Sequence, residues 1–322
     1  VIRYALWARR NLEQQPNGKS RVSRGFDELP EVREVLDLHL NPEHDPSLAI
    51  RSVYGQHFPQ LVLVDAAWAS QRVAQIFPED KAVQALRDAA WNAYVSFCRA
   101  YDKALEFLKD QYAIAVDQVG TAKAAQPGIP KPDESVSEHL MAFYWRGKLE
   151  LEEQGGLVEK FFIKATDALR GHAIGFVGRS LGHTDGAVAP AVLARLQALW
   201  CYRLRSARLA TDPGEFAAEM AAFGWWVVSR KFDDSWCLSQ LREALTIAGH
   251  TEADHLVAER LASLASSMPT LVVQCLGLMV AGDKEGWHVD LWREQIRQAL
   301  SLTLRGADDD ARQLAHDLIN RL

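Results

Sequence analysis

The feature that most constrains the fold is a recurrence of helical segments at a nearly constant interval in the last third of the chain. Two series of segments carry apolar residues at helical spacing, and members of a series follow one another at roughly 36 to 39 residues. The first series begins near Glu215, Glu252 and His288, and the second near Asp234, Thr270 and Asp309. Two helices recurring at such a period indicate a helical solenoid, in which neighbouring pairs bury each other.

The stretch Glu252–Gly282 illustrates the plan of one unit. It predicts one helix, a corner at Met268–Pro269 and a second helix. Val257 and Leu261 stand four positions apart in the first helix and so share a face. The second helix, Thr270–Ala281, is apolar nearly all round. Such a helix must be covered on two sides, as an inner helix of a stacked array is.

The remainder of the chain is also predicted to be helical. It contains almost no alternating β-branched runs bounded by turns, which strands would require. We therefore expect an all-α fold of stacked antiparallel helical hairpins, an α-solenoid of about 13–15 helices. Three prolines and two glycines in Gly120–Glu134 indicate an exposed loop. The expected organisation is a helical lobe over 1–120, the loop over 121–134, and a helical-repeat lobe over 135–322.

Composition places the chain among folded proteins without a membrane span. Of its 322 residues 48% are hydrophobic and 24% charged, which is ordinary for a packed domain. No apolar run is long enough to cross a bilayer, and no signal peptide is evident. The chain begins at Val1 and ends at Leu322 within helical patterns. We therefore expect a piece of a longer protein whose chemistry lies in the missing part.

The four cysteines stand far apart, in apolar helical segments, without the C-x-x-C spacing of metal or redox sites. They are expected to be buried free thiols, which fits a reducing cytoplasm. The sequence places them at Cys98, Cys201, Cys237 and Cys275.

Net charge argues against a general affinity for nucleic acid, because the formal value is −6. Two segments are nevertheless basic, namely residues 1–24 and the stretch Ala187–Thr211. An alternative function is therefore a nucleic-acid-binding HEAT-like protein, resembling in outline the helical-repeat DNA glycosylases. It predicts that the arginines of both segments line one concave face.

The sharpest motif is the GRSLG run Gly178–Gly182, which matches the G-x-S-x-G nucleophile elbow with Ser180 as nucleophile. Asp233 or Asp234 and a later histidine would follow in the required order. A serine hydrolase of this type needs a strand leading into a tight turn and a helix, within a buried sheet. The strand-poor sequence does not supply that context.

The same segment has a structural interpretation. Its glycines fall at spacings of i, i+4, i+7 and i+11, so they share one face if the segment is helical. They are Gly171, Gly175, Gly178 and Gly182. Each costs about 1 kcal/mol of helix stability relative to Ala, which close approach of a neighbouring helix can offset. We expect close packing there rather than a phosphate loop, because no Gly-Lys-Ser/Thr ending is present.

Histidines and acids cluster in Asp37–Asp45 and in His250–His255, without the i, i+4 histidine pair of a zinc helix. These residues lie at helix starts or stops, where capping is sufficient to explain them. No metal site and no cofactor are predicted.

Ten tryptophans are the compositional oddity, and the adjacent pair Trp225–Trp226 stands out among them. Neighbouring helix positions lie about 100° apart, so one of the two is expected to be partly exposed. Exposed Trp beside Arg is typical of a binding hot spot. The predicted binding surface comprises Trp225, Trp226, Arg230 and Lys231, with Arg203, Arg205 and Arg208 from the basic helix.

On these patterns the chain resembles α-solenoids of the HEAT/armadillo kind. The stretches FGWWVVSRKFDDSW (Phe223–Trp236) and MPTLVVQCLGLMVAGDKEGW (Met268–Trp287) also resemble C-terminal segments of large bacterial proteins, some of them connected with anti-phage defence. That resemblance implies a sensor or interaction module and transfers no functional residue. The leading hypothesis is a non-catalytic, cytoplasmic scaffold that binds a protein partner.

Overall fold

The computed structural model describes residues 1–120, 131–306 and 309–321. Every regular element within those ranges is a helix, which confirms the all-α prediction. The chain divides into two compact units. The first comprises 1–143 and 154–164, and the second comprises 144–153 and 165–322.

The first unit contains ten α-helices within the described ranges, joined in two places by 3₁₀ turns at Gly25–Glu28 and Lys81–Val83. The helices are α1 (Ile2–Glu13), α2 (Gly18–Val22), α3 (Pro30–Leu40), α4 (Leu48–Gln56), α5 (Phe58–Val64), α6 (Ala66–Ile76), α7 (Gln84–Phe97), α8 (Asp102–Asp117), α9 (Pro132–Trp145, whose last two residues belong to the second unit) and α10 (Leu157–Lys164).

Ten further α-helices are described in the second unit, with a 3₁₀ turn at Pro213–Phe216. They are α11 (Asp167–Gly182), α12 (Pro190–Leu209), α13 (Ala217–Ala222), α14 (Gly224–Ser229), α15 (Asp234–Ala248), α16 (Asp254–Leu264), α17 (Pro269–Gly282), α18 (Trp287–Leu291), α19 (Arg293–Gly306) and α20 (Asp309–Ile319).

These helices outnumber the expected 13–15, because several predicted helices are interrupted. The stretch predicted as one helix from Pro59 to Phe77 breaks at Asp65. The Asp65 carboxylate caps α6 by accepting the backbone N–H of Trp68 at 2.8 Å. It also accepts the N–H of Phe26 at 3.0 Å, a contact 39 residues distant in sequence. Capping combined with this long-range hydrogen bond fixes the break.

The core of the first unit is a cluster of aromatic side chains from α5, α7, α8 and α9, built around Tyr94 and Tyr112. The two hydroxyl groups lie 3.1 Å apart, and Tyr112 Oη lies 2.7 Å from His139 Nδ1. His139 Nε2 lies 2.9 Å from the carbonyl oxygen of Cys98. Since a carbonyl only accepts, the Nε2 nitrogen of His139 carries a proton.

In the second unit the helices contact one another along two series. In one series α11 contacts α13 and α14, α14 contacts α16, and α16 contacts α19. In the other, α12 contacts α15, α15 contacts α17, and α17 contacts α20. The predicted starts at Asp234 and Asp309 are confirmed, and the helix predicted from Thr270 begins one residue earlier, at Pro269.

The boundary between the units differs from the predicted one. Most of the predicted loop, residues 121–130, lies outside the described residues. Its last residues already form the first turn of α9, which begins at Pro132 because proline suits the start of a helix. Most of α9 and all of α10 belong to the first unit, although the sequence suggested a C-terminal lobe from residue 135.

Among the described helices, none combines the length and the apolar character needed to cross a membrane.

Candidate functional site

The structure separates the two tryptophans of the predicted surface. Trp226 is 0% exposed, and its indole N–H donates to the carbonyl oxygen of Ile174 at 2.8 Å. It stacks on Phe232, with ring centroids 5.6 Å apart. Trp225 is half-buried. The expectation that one of the pair is partly exposed is confirmed, whereas the inclusion of Trp226 in a binding surface is wrong, because its ring is fully enclosed in the core.

Trp225 contacts charged side chains from two neighbouring segments. Its indole N–H donates to Glu252 Oε2 at 2.7 Å. The guanidinium carbon of Arg179, on α11, lies 5.7 Å from the centre of its ring, within the range of a cation–π interaction. Arg230 follows at the C-terminal cap of α14, where it is exposed and adopts a left-handed conformation with φ of 57°.

Lys231 completes this group. Its ammonium group donates to the carbonyl oxygens of Thr184 and Gly186, both at 2.8 Å, and so attaches the segment after α14 to the loop after α11. We call Arg179, Trp225, Arg230 and Lys231 the Trp225 surface. Three of its four members are cations, and the Glu252 carboxylate accepts the indole N–H of the fourth.

Arg203 is not a surface residue, so its assignment to the binding surface is also wrong. Its side chain is 4% exposed, and it donates to Glu219 at 2.5 Å through Nε and at 3.1 Å through Nη2. Arg170 donates to the same carboxylate at 2.7 Å. The Glu219 side chain is fully buried. Pairing with a carboxylate lowers the cost of burying an arginine, which is consistent with the inward position of Arg203.

The other arginines of α12 also lie beside carboxylates. Arg205 and Arg208 are exposed. The pairs are Arg195 with Glu150 at 3.2 Å, Arg205 with Glu152 at 3.5 Å, and Arg208 with Glu243. The acid-free sequence of this helix therefore does not produce an acid-free surface, because the acids come from segments that are distant in sequence. Arg205 and Arg208 contact different neighbours from those of the Trp225 surface.

The basic segment at the start of the chain is balanced in the same way. Arg9 pairs with Glu13 at 3.3 Å, and both Arg21 and Arg24 pair with Glu28. The positive charge on which the nucleic-acid hypothesis depends is thus partly neutralised within each unit, which weakens the field available to a phosphate backbone.

Ser180 lies within α11, near its C-terminal end. The strand that a nucleophile elbow requires is absent at this point and throughout the described part of the chain. The glycines of the same helix are used for packing. A Cβ added at Gly171 would lie 2.9 Å from the carbonyl oxygen of Ala218, and one at Gly178 would lie 2.5 Å from Trp225 Cβ. Close approach is therefore confirmed at these two positions.

Gly175 and Gly182 differ from them. A Cβ at Gly175 would meet the flexible end of Arg179, its own neighbour along the helix, and one at Gly182 would meet nothing within 4 Å. The glycine face predicted from spacing is therefore used for helix packing at Gly171 and Gly178, and not at Gly175 or Gly182.

The cysteines are all free, but their burial differs from the expectation of four buried thiols. Cys237 and Cys275 are buried, Cys98 is half-buried, and Cys201 is exposed. Burial raises the pKa of the Cys98, Cys237 and Cys275 thiols to about 12. Cys201 lies on the solvent-facing side of α12. Its apolar sequence neighbours had instead indicated burial. Within the described ranges no group of three or more metal-ligating side chains occurs.

This difference predicts thiol reactivity. In the folded protein at pH 8 we expect a maleimide or aromatic disulfide reagent to modify Cys201 rapidly and Cys237 and Cys275 slowly, because reaction requires an accessible thiolate. Mass spectrometry of labelled peptides would measure this. The Cys201→Ser variant should lose the fast phase, and all four thiols should react in denaturant. Fast labelling of Cys275 in the folded protein would contradict the burial described.

The sequence did not predict two features. One is the buried Glu219, whose position at helical spacing from Phe216 and Phe223 puts a carboxylate on an apolar stripe. That misplaced charge is a signal from which a buried ion pair could have been inferred. The other is Arg51 of the first unit, which is 1% exposed and lines a cavity. Its sequence context gives no comparable signal.

Comparison of the chain with protein-family models, curated protein sequences and solved structures finds no match.

Proposed function

We propose that the second unit is a non-catalytic protein-interaction module built as a HEAT-like α-solenoid, and that the Trp225 surface binds an acidic segment of a protein partner. The observation that carries the proposal is the half-buried Trp225 ring, covered on one side by Arg179 at 5.7 Å and followed by two further cations. Trp and Arg are the residues that most often dominate the energy of protein interfaces.

The helix arrangement supports the solenoid part of the proposal. In an α-solenoid each helix of a pair contacts its counterparts in the preceding and following pairs, which yields two parallel series of contacts. The series α14, α16, α19 and the series α15, α17, α20 have this form. The interval of roughly 36 to 39 residues in the sequence corresponds to one pair. Such arrays serve as extended binding surfaces.

The preference for an acidic partner follows from charge. Arg179 lies over the Trp225 ring, and Arg230 and Lys231 follow Trp225 in the chain, so the Trp225 surface carries three cations, while Glu252 accepts the indole N–H. An acidic segment would interact favourably with these cations while an apolar side chain contacts the exposed part of the indole ring. The Lys231 ammonium is already held by two carbonyl oxygens, so it is positioned before a partner arrives.

The proposal predicts a specific loss of binding. We expect the double variant Trp225→Ala/Arg230→Glu to bind its partner at least about tenfold more weakly than the unchanged protein, because it removes the apolar contact and reverses one charge. The partner would be identified by cross-linking and quantitative mass spectrometry in the organism that encodes the chain. The dissociation constant of the purified pair would then be measured by calorimetry.

A matched control is available in the same unit. Trp287→Ala/Arg293→Glu makes the same chemical changes at an exposed Trp and an exposed Arg of α18 and α19. It should leave the dissociation constant unchanged. Equal affinity of the Trp225 variant and the unchanged protein, or a loss confined to the control, would contradict the assignment of the Trp225 surface.

A further inference from the structure

The first unit contains a cavity of about 440 Å³ whose lining combines an apolar wall with two arginines. Leu40, Val83 and Leu86 contribute apolar surface. Arg51 and Arg72 are the two cationic side chains, and Asn41 and Gln75 add polar groups at exposed positions. A volume of this size and a mixed lining are typical of pockets that hold small organic molecules.

Arg51 is the unusual member of this lining. It is 1% exposed, and its guanidinium donates to two backbone carbonyls, that of Gln75 at 2.5 Å and that of Leu40 at 3.0 Å. Its Nε has no hydrogen-bond partner among the described residues. A buried donor without an acceptor is costly, and such groups are rare in folded proteins.

Among the described residues the hydrogen-bond acceptors of Arg51 are backbone carbonyls, and no carboxylate forms an ion pair with it. Asp45, the acid that acts on it electrostatically, accepts from His39 at 2.8 Å and from the N–H of Ser47 at 3.1 Å. Burial lowers the pKa of Arg51 from its ordinary value, against the smaller opposing influence of Tyr54 and Asp45. An arginine nevertheless stays protonated in proteins, so a buried cation remains without a paired anion.

Arg72 adds a second guanidinium with spare donors. Its Nε donates to Asp37 Oδ1 at 2.8 Å, and the same oxygen accepts the indole N–H of Trp68 at 3.0 Å. The two terminal nitrogens of Arg72 have no acceptor within the described part of the chain. The charges that line the cavity are therefore two arginines and one aspartate, which leaves one positive charge unbalanced.

We propose that this cavity binds a small organic anion, with a carboxylate or phosphate group held by Arg51 and Arg72 and an apolar body against Leu40, Val83 and Leu86. Guanidinium groups suit both kinds of anion because their planar N–H donors match the oxygen atoms in pairs. The anion would supply the acceptor that Arg51 Nε lacks. It would also balance the charge that the protein leaves uncompensated.

Arg51 has one competing role, as a structural clamp. Leu40 is the last residue of α3, and Gln75 lies in the last turn of α6, so the guanidinium joins the C-terminal ends of two helices, where the helix dipole favours a cation. A clamp alone requires no second arginine in the cavity and leaves Nε unused. The two roles therefore differ in whether an added anion binds.

The test uses the full chain and two aromatic probes, benzoate and phenyl phosphate, titrated by calorimetry and by NMR. We expect saturable binding of at least one of them, and their relative affinities would distinguish a carboxylate site from a phosphate site. Benzamide, which has the shape of benzoate without its charge, should bind at least about tenfold more weakly. The variants Arg72→Gln and Arg51→Met should each weaken binding by at least about tenfold.

Arg33→Gln is the matched control, because Arg33 also pairs with Asp37, at 3.8 Å, without lining the cavity. It should bind the probes as the unchanged protein does. If Arg51→Met fails to fold, the comparison of Arg72→Gln with Arg33→Gln still decides the question. Absence of saturable binding of both probes up to about 10 mM, equal binding of benzamide, or equal binding by Arg72→Gln would overturn the proposal.

Discussion

Replacement of Glu219 by Ala is expected to destabilise the second unit by about 3–5 kcal/mol. The Glu219 carboxylate is fully buried and accepts hydrogen bonds from Arg203 at 2.5 and 3.1 Å and from Arg170 at 2.7 Å. Removing it takes away the anion between two buried guanidinium groups, although Arg170 keeps its longer pairing with Asp167 at 3.6 Å. Breaking a buried ion pair by deleting one partner is costly for this reason.

Arg170 and Arg203 also make contacts that do not involve Glu219. Arg170 also donates to the carbonyl oxygens of Ala165 at 2.7 Å and Glu215 at 2.5 Å. The Phe216 ring lies 4.7 Å from the guanidinium carbon of Arg170 and 5.5 Å from that of Arg203. These hydrogen bonds and cation–π contacts remain in the variant, so the missing charge and the vacated volume account for the change in the free energy of unfolding.

Hydrogen exchange of the α12 and α13 amides would measure the effect, because a chain of two units need not unfold in one transition. Glu152→Ala is the control. Glu152 pairs with Arg205, which lies on α12 as Arg203 does, but both side chains of this pair are 64% exposed. It should cost less than about 1 kcal/mol. A loss for Glu219→Ala no greater than that for Glu152→Ala would show that the buried carboxylate does not hold the two arginines.

The helices were predictable from sequence because their signals are local. The starts of α15 at Asp234 and α20 at Asp309 follow from a capping or acidic residue placed before an apolar stripe. The glycine face of α11 was predictable for the same reason, since spacing alone puts Gly171 and Gly178 on one side. Which neighbour that face contacts could not be derived from spacing.

The candidate site was less predictable, because burial depends on residues that are distant in sequence. Trp226 is enclosed through Ile174, 52 positions away, and Arg203 through Glu219, 16 positions away. The partners of Arg51 are the backbone carbonyls of Leu40 and Gln75, which any side chain at those positions would supply. Residue types alone therefore cannot reveal that Arg51 is buried. A carboxylate on an apolar stripe, as at Glu219, is by contrast a sequence signal of a buried ion pair.

Substitution of Gly178 by Ala is expected to destabilise the second unit by about 1–3 kcal/mol relative to Gly182→Ala. An added Cβ at Gly178 would lie 2.5 Å from Trp225 Cβ and 2.8 Å from the Trp225 carbonyl carbon. Neither atom is the end of a flexible side chain, so α11 and α14 would have to separate. Separation would also disturb the Trp226 indole hydrogen bond to Ile174.

Gly182 provides the comparison because it lies on the same helix and a Cβ there would meet nothing within 4 Å. Both changes restrict the unfolded chain and favour helix by similar amounts, so these contributions largely cancel in the difference. The difference then reports close packing between α11 and α14. Urea denaturation with hydrogen exchange of α11 would measure it. Equal stability of the two variants would mean that the glycines of this helix are not required for the approach of α14, and that the position of Trp225 is fixed by its contacts with Arg179 and Glu252 instead.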